Sequence, residues 1–159
     1  MENKKEKLED FKTAISSTVR SISNSEKIEV SFGNQTPKSE KNSIKLPELS
    51  QINNKLNFDQ IRAMADSKSL NFRFSDDKTF KEYEPVGNIS KRLYKISEKI
   101  RCEKIGTSYF KGVKNNIEKF YQERLSGLDL KSSEDKIIES FENYLRTKFL
   151  DFKNDSQID

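Results

Sequence analysis

Ile89, Leu93, Ile96 and Ile100 recur at spacings of 4, 3 and 4. That spacing keeps four apolar side chains on one side of a helix with 3.6 residues per turn, and it breaks the alternation a strand needs. The segment is therefore expected to fold as an amphipathic helix that must bury its stripe against other elements. Leu8, Phe11, Ala14, Ile15, Val19 and Ile22 predict an opening helix of the same kind, closed by the turn-forming pair Asn24-Ser25. Val113, Ile117, Phe120, Tyr121 and Leu125 predict another, entered after Gly112 and stopped at Ser126-Gly127. Ser132-Ser133-Glu134-Asp135 has the chemistry to cap a last helix carrying Ile137, Ile138, Phe141, Leu145, Phe149 and Phe152.

Between these helices lies one clear strand signal. Ile28-Glu29-Val30-Ser31-Phe32 alternates strictly and is followed by Gly33-Asn34 and a polar loop to about residue 56. Within that loop Ile44-Lys45-Leu46 is expected to pair back as a hairpin. Two strands alone are marginal, so the pair must lie on helices. From Asn57 to Ser75 the pattern is mixed: Phe58, Ile61, Ala65 and Phe72 suit a helix, while Leu70, Phe72 and Phe74 alternate. Length and the absence of Gly or Pro favour helix. Pro85-Val86-Gly87 breaks the chain, Asn88 is the expected N-cap of the Ile89–Ile100 helix, and Gly106 its expected end. The expected fold is mainly α: a single helical domain over 1–152 of about five helices with a short β-hairpin, then a polar tail at 153–159.

Leu, Ile, Val and Phe make up about a quarter of the chain, above the level of roughly a fifth below which chains stay disordered. Charged residues reach 35% and mean hydropathy is −0.91, so the core is thin and the surface heavily solvated. No window approaches the ~20 apolar residues of a membrane span. Histidine is absent and Cys102 is the one cysteine, which removes histidine acid–base chemistry, internal disulfides and a cysteine zinc cluster. There is no phosphate-cradling GxxxxGK[ST] loop and no GxGxxG. The five glycines, Gly33, Gly87, Gly106, Gly112 and Gly127, sit at expected element boundaries. Asp76-Asp77 and Glu82/Glu84 read as exposed acidic turns, and Cys102 as a packing residue. No catalytic, cofactor or metal site is expected. The N-terminus mixes charges of both signs without an apolar stretch, so no export signal is read and the cytoplasm is the expected compartment.

Charge is unevenly placed. Residues 88–124 carry ten basic and four acidic groups, although the net charge of the chain is only +4. One reading is a basic helical nucleic-acid-binding surface using Lys91, Arg92, Lys95, Lys99 and Arg124. The other is a solvated lysine-rich face, its cations interleaved with Glu98, Glu103, Glu118 and Glu123, with Glu98 and Arg101 at the i,i+3 spacing of a surface ion pair.

Three segments, in order, resemble the N-terminal region of the T subunit of aerobic cobaltochelatase. Phe11-Lys12-Thr13-Ala14 leading to Ile28–Gly33 and then Leu46-Pro47-Glu48 is similar to that family's opening helix, its LEVTF strand and its LPEP segment. Arg62-Ala63-Met64-Ala65-Asp66-Ser67, continuing to Leu70 and Arg73, resembles the R-G-x-A-D-S-x-A-L-x-x-R run, with Ala63 replacing its glycine. Glu98, Arg101, Glu103 and Gly106 fall where the family has E-Q-A-R-V-E-A-x-G, and Gly112-Val113 with Asn116 resembles its MPGVAANL. A family His pair is replaced by Phe74-Ser75. Family members continue into a von Willebrand A-type domain that these 159 residues do not include.

The resemblance implies a non-catalytic docking or coupling domain of an ATP-dependent chelatase that inserts cobalt into the corrin ring. Its implied partners are an AAA+ ATPase subunit and a large tetrapyrrole-binding subunit, with homo-oligomerisation in the full complex and no membrane. ATP, Mg2+ and Co2+ would be handled by other domains and subunits. The implied structural or interface residues are Arg62, Asp66, Arg73, Glu98, Arg101, Glu103, Gly106, Gly112 and Asn116.

Overall fold

A computed structural model describes residues 2–37, 41–48, 58–126 and 132–152. The 153–159 tail and much of the polar loop at 33–56 lie outside the described residues. Element order is α1 (Glu2–Ser23), β1 (Glu29–Phe32), β2 (Ser43–Leu46), α2 (Phe58–Phe74), α3 (Asp77–Glu82), α4 (Asn88–Tyr109), α5 (Lys111–Ser126) and α6 (Ser133–Leu150). The fold is mainly α with a small β element. The chain divides into two compact units, 1–73 and 74–159.

In the first unit the α1 stripe buries Ile15 and Val19 against Ile28 and Phe32 of the β1 segment, Ile44 and Leu46 of β2, and Ile61 and Ala65 of α2. Asn24, at φ 53°, ends α1 as its turn chemistry implies. The ambiguous segment is helix, and Leu70, which read equally well as strand, is fully buried on α2. Arg73 at the end of α2 donates through Nη1 to the Ile22 carbonyl at 3.0 Å, tying the ends of α1 and α2 together.

The expected hairpin is instead a parallel pair, with Glu29 opposite Ser43 and Phe32 opposite Leu46. Alternation determines which side of a strand is apolar, and it does so equally for either strand direction. β2 begins at Ser43 beside Glu29, the start of β1, as parallel pairing requires. Gly33 makes that departure possible. Its φ is +62°, its N–H donates to the Leu46 carbonyl at 2.8 Å, and a Cβ there would sit 2.6 Å from Glu48 Cβ. Side chains satisfy groups on both sheet edges: Arg20 Nε donates to the Ile28 carbonyl, Gln35 Oε1 accepts from the Phe32 N–H, and Lys68 Nζ donates to the Lys45 carbonyl.

In the second unit α4 packs on both α5 and α6. A short helix that the periodicities do not signal, α3, precedes them and raises the helix count to six among the described residues. Asp76 caps it, accepting from the Thr79 N–H at 2.7 Å, and Phe80 stacks on Tyr94 of α4 at 4.6 Å between centroids. Two expected boundaries of α4 move. Gly87, at φ 109°, is its N-cap, so Asn88 is already the first helical residue. Gly106 does not end the helix; it is buried within it, and its carbonyl accepts from the Phe110 N–H at 3.0 Å. One interior glycine costs a helix only about 1 kcal/mol, which packing outweighs. Ser132 caps α6 as expected, its Oγ accepting from the Asp135 N–H at 3.0 Å.

The orientation of α6 departs most from its apolar pattern. Its buried residues are Ile138, Glu139, Glu142, Arg146 and Leu150, whereas Ile137 is 54% and Tyr144 60% exposed. Three charged side chains thus hold the inward arc while an apolar stripe faces out. No helix among the described residues is long and apolar enough to cross a membrane.

Candidate functional site

The charges that turn α6 inward meet partners from α4 and α5. Helical spacing places Lys99 and Glu103 one turn apart on α4, Tyr121 and Arg124 on adjacent turns of α5, and Glu139, Glu142 and Arg146 along one arc of α6. Arg146 is the hub. Its Nη1 bonds Glu103 Oε2 at 2.5 Å, and its Nε and Nη2 both bond Glu142 Oε1, at 3.1 and 2.9 Å. Arg124 Nη2 bonds Glu139 at 2.6 Å and Glu142 Oε2 at 3.1 Å. Two guanidiniums are thus shared among three carboxylates, Glu103, Glu139 and Glu142.

Tyr121 lies among them. The Arg146 guanidinium sits 3.2 Å from the centre of its ring and that of Arg124 4.8 Å, so the electron-rich face takes part in holding positive charge. Lys99 Nζ donates to its hydroxyl at 2.5 Å. Glu103 is 0% and Arg146 2% exposed. Burial depresses the Lys99 pKa, and Arg146 and Arg124 add to it against Glu103 and Glu142. Burial likewise raises the Tyr121 hydroxyl well above its usual range. For Glu142 burial pulls upward, but Arg146, Arg124 and Lys99 together outweigh it and the carboxyl is lowered. A carboxylate engaged this way is a weak base. The cluster's physical effect is to clamp three helices in one register.

The residues singled out by sequence separate into distinct roles. Glu98 and Arg101 form a two-pronged pair at 2.7 and 2.8 Å, and Arg101 also donates to the Phe74 carbonyl at 2.6 Å. The Arg101 side chain is 48% exposed. Glu103 leaves that surface pair for the interior and Arg146. Asp66 is buried in α2, Arg62 is exposed on it, Asn116 is half-buried, and Gly112 is open at the start of α5. Cys102 is buried, and burial pushes its thiol up to about 12. Asp76 serves as a helix cap, and Glu84 pairs with Lys91 at 3.4 Å and Lys95 at 3.9 Å. Among the described residues no group of three or more acidic or cysteine side chains is placed to hold a metal ion.

Tyr121, Glu139, Glu142 and Arg146 escaped sequence reasoning as site residues. The one available signal was the 3,4 spacing of Glu139, Glu142 and Arg146. A solvated helix face gives the same signal. Of the basic residues in the nucleic-acid reading, Lys99 and Arg124 belong to the interior cluster, Lys91 and Lys95 face Glu84, and Arg92 pairs with Asp135 at 3.3 Å; nothing in this arrangement favours that reading.

The family model for cobalamin biosynthesis protein CobT matches residues 5–143, spanning both units and the α4–α6 cluster as far as Glu142. The chain belongs to the CobT family. The match takes in all nine residues that the resemblance had singled out, from Arg62 to Asn116. No solved structure matches this CobT-family chain.

Proposed function

We propose that this CobT-family chain is a non-catalytic docking and coupling domain of an ATP-dependent cobaltochelatase subunit, serving cobalt insertion into the corrin ring. The observation that carries the reading is the family match over most of the chain. The α4–α6 cluster supports it, because its ionisable groups are engaged with one another as scaffold. On this reading ATP hydrolysis belongs to an AAA+ partner subunit, and the tetrapyrrole to a large subunit. Mg2+ and Co2+ act through those partners or through further domains, in a cytoplasmic complex in which the chain is present in several copies.

Competition tests it. Added in excess to a reconstituted chelatase, the chain should occupy the docking surface of its full-length counterpart and lower cobalt insertion several-fold. An insertion rate unchanged at a hundred-fold excess of folded chain would overturn the proposal.

A further inference from the structure

The outward stripe of α6 has a regular order. Glu134, Ile137, Phe141, Tyr144 and Lys148 follow one another at 3, 4, 3 and 4 residues, the spacing of a two-helix seam. At 100° per residue all five lie within an arc of about 80°. Ile137 and Tyr144 are more than half exposed and Phe141 is half-buried. Glu134 lies in the first turn of α6 and Lys148 in the last, and neither takes part in an ion pair among the described residues. An acidic end, an apolar middle and a basic end make the stripe complementary to itself when reversed.

We propose that this face binds α6 of a second copy of the chain, antiparallel, about a twofold axis through Phe141. Glu134 and Lys148 are each seven residues from Phe141, about 10.5 Å along the helix. The axis therefore sets Glu134 of each copy beside Lys148 of the other. It also brings Ile137 against Tyr144 and Phe141 against Phe141. A parallel pairing would oppose Glu134 to Glu134 and Lys148 to Lys148, so charge selects the antiparallel arrangement, as do the opposed helix dipoles. The contact is isologous and closes at two copies. A seam of three apolar side chains is small against the roughly 1,600 Å² of a standard interface, so a weak, concentration-dependent dimer is expected. This inference does not rest on the chelatase reading.

Sedimentation equilibrium of the whole chain over a concentration series, at low salt, tests it. The parent should pass from monomer to dimer, with no larger species. Ile137→Lys with Tyr144→Lys should abolish the dimer while the thermal melt of the dilute protein stays near the parent's, both positions being exposed. Glu134→Lys and Lys148→Glu should each weaken association about five-fold or more. Glu134→Lys combined with Lys148→Glu should restore it, because the reversed ends again attract. A parent that stays monomeric at millimolar concentration overturns the proposal. So does a dimer indifferent to the double lysine variant, or one that the combined reversal fails to rescue.

Discussion

Arg146 on α6 reaches 43 residues back along the chain to bond Glu103 on α4 at 2.5 Å, with both side chains almost wholly withdrawn from water. Removing two charges from water is costly, and their attraction offsets that cost only where the remaining donors and acceptors also find partners. Glu142 supplies the second half of that solvation for Arg146, and the Tyr121 ring covers the face of its guanidinium. The pair is therefore part of a network whose members depend on one another.

Breaking that network from one side should be severe. Arg146→Met takes away the guanidinium that Glu103 and Glu142 both bond and should cost about 3–5 kcal/mol in urea unfolding. Adding Glu103→Leu removes one of the two buried carboxylates that lost that guanidinium and should recover part of the loss. A single-variant loss under about 1 kcal/mol would contradict the burial of this pair.

Arg101 should behave differently despite its two-pronged bond to Glu98. Its side chain is half exposed, so solvent screens much of the attraction. Arg101→Ala should lower stability by about 0.5–1 kcal/mol. Arg101→Lys should fall between it and the parent, since lysine lacks the planar fork. The hydrogen bond from Arg101 holds the Glu98 pKa below its ordinary value. That stabilisation is present above the usual carboxylate range and is lost as pH falls through the lowered value. The pH dependence of stability below pH 5 should thus be shallower in Arg101→Ala than in the parent.

Gly33 tests the parallel pairing. Gly33→Ala forces a Cβ into the left-handed region and against Glu48 Cβ, and should cost about 2 kcal/mol or more. Glu48→Ala should relieve it only in part, because it removes the close Oε2 and Cγ but leaves the Cβ and the left-handed φ. A neutral Gly33→Ala would mean that β1 does not leave toward β2 by this route.

At alkaline pH two groups act in one direction and one in the other. The folded Cys102 thiol titrates near 12 against an ordinary 9.0, so the native chain keeps a proton that the unfolded chain releases. Stability is then fully present below about pH 9 and falls as pH rises toward 12. Tyr121 acts with the same sign above pH 10. Lys99, lowered in the fold, opposes them, because its handicap disappears as pH approaches 10.5. The urea midpoint should decline above pH 9, and Cys102→Ala should flatten that decline. An equally steep decline in Cys102→Ala would remove the thiol from the account.

The legible parts of this fold are those set by local spacing. The 4, 3, 4 run from Ile89 to Ile100 specified α4, and the Ser132 cap marked the start of α6. Strand direction was not legible in Ile28–Phe32, because alternation is the same read either way. Nor was the inward face of α6, where Ile137 and Phe141 carried the apolar signal while Glu142 and Arg146 took the interior. Their burial depends on Glu103, Arg124 and Tyr121 arriving from other helices, which one helix's periodicity does not encode. Charge patterning marked Glu103 as one of the acids on a solvated face, and as a site residue it was reached only through the family resemblance.

Direct titration of a purified AAA+ chelatase subunit with this chain tests the docking account most closely. Calorimetry at physiological salt, with and without ATP, should show saturable binding at a defined stoichiometry, and the mixture should hydrolyse ATP no faster in the chain's share than the partner's own rate explains. Absence of binding at high micromolar concentrations of both folded proteins, in either nucleotide state, would contradict it.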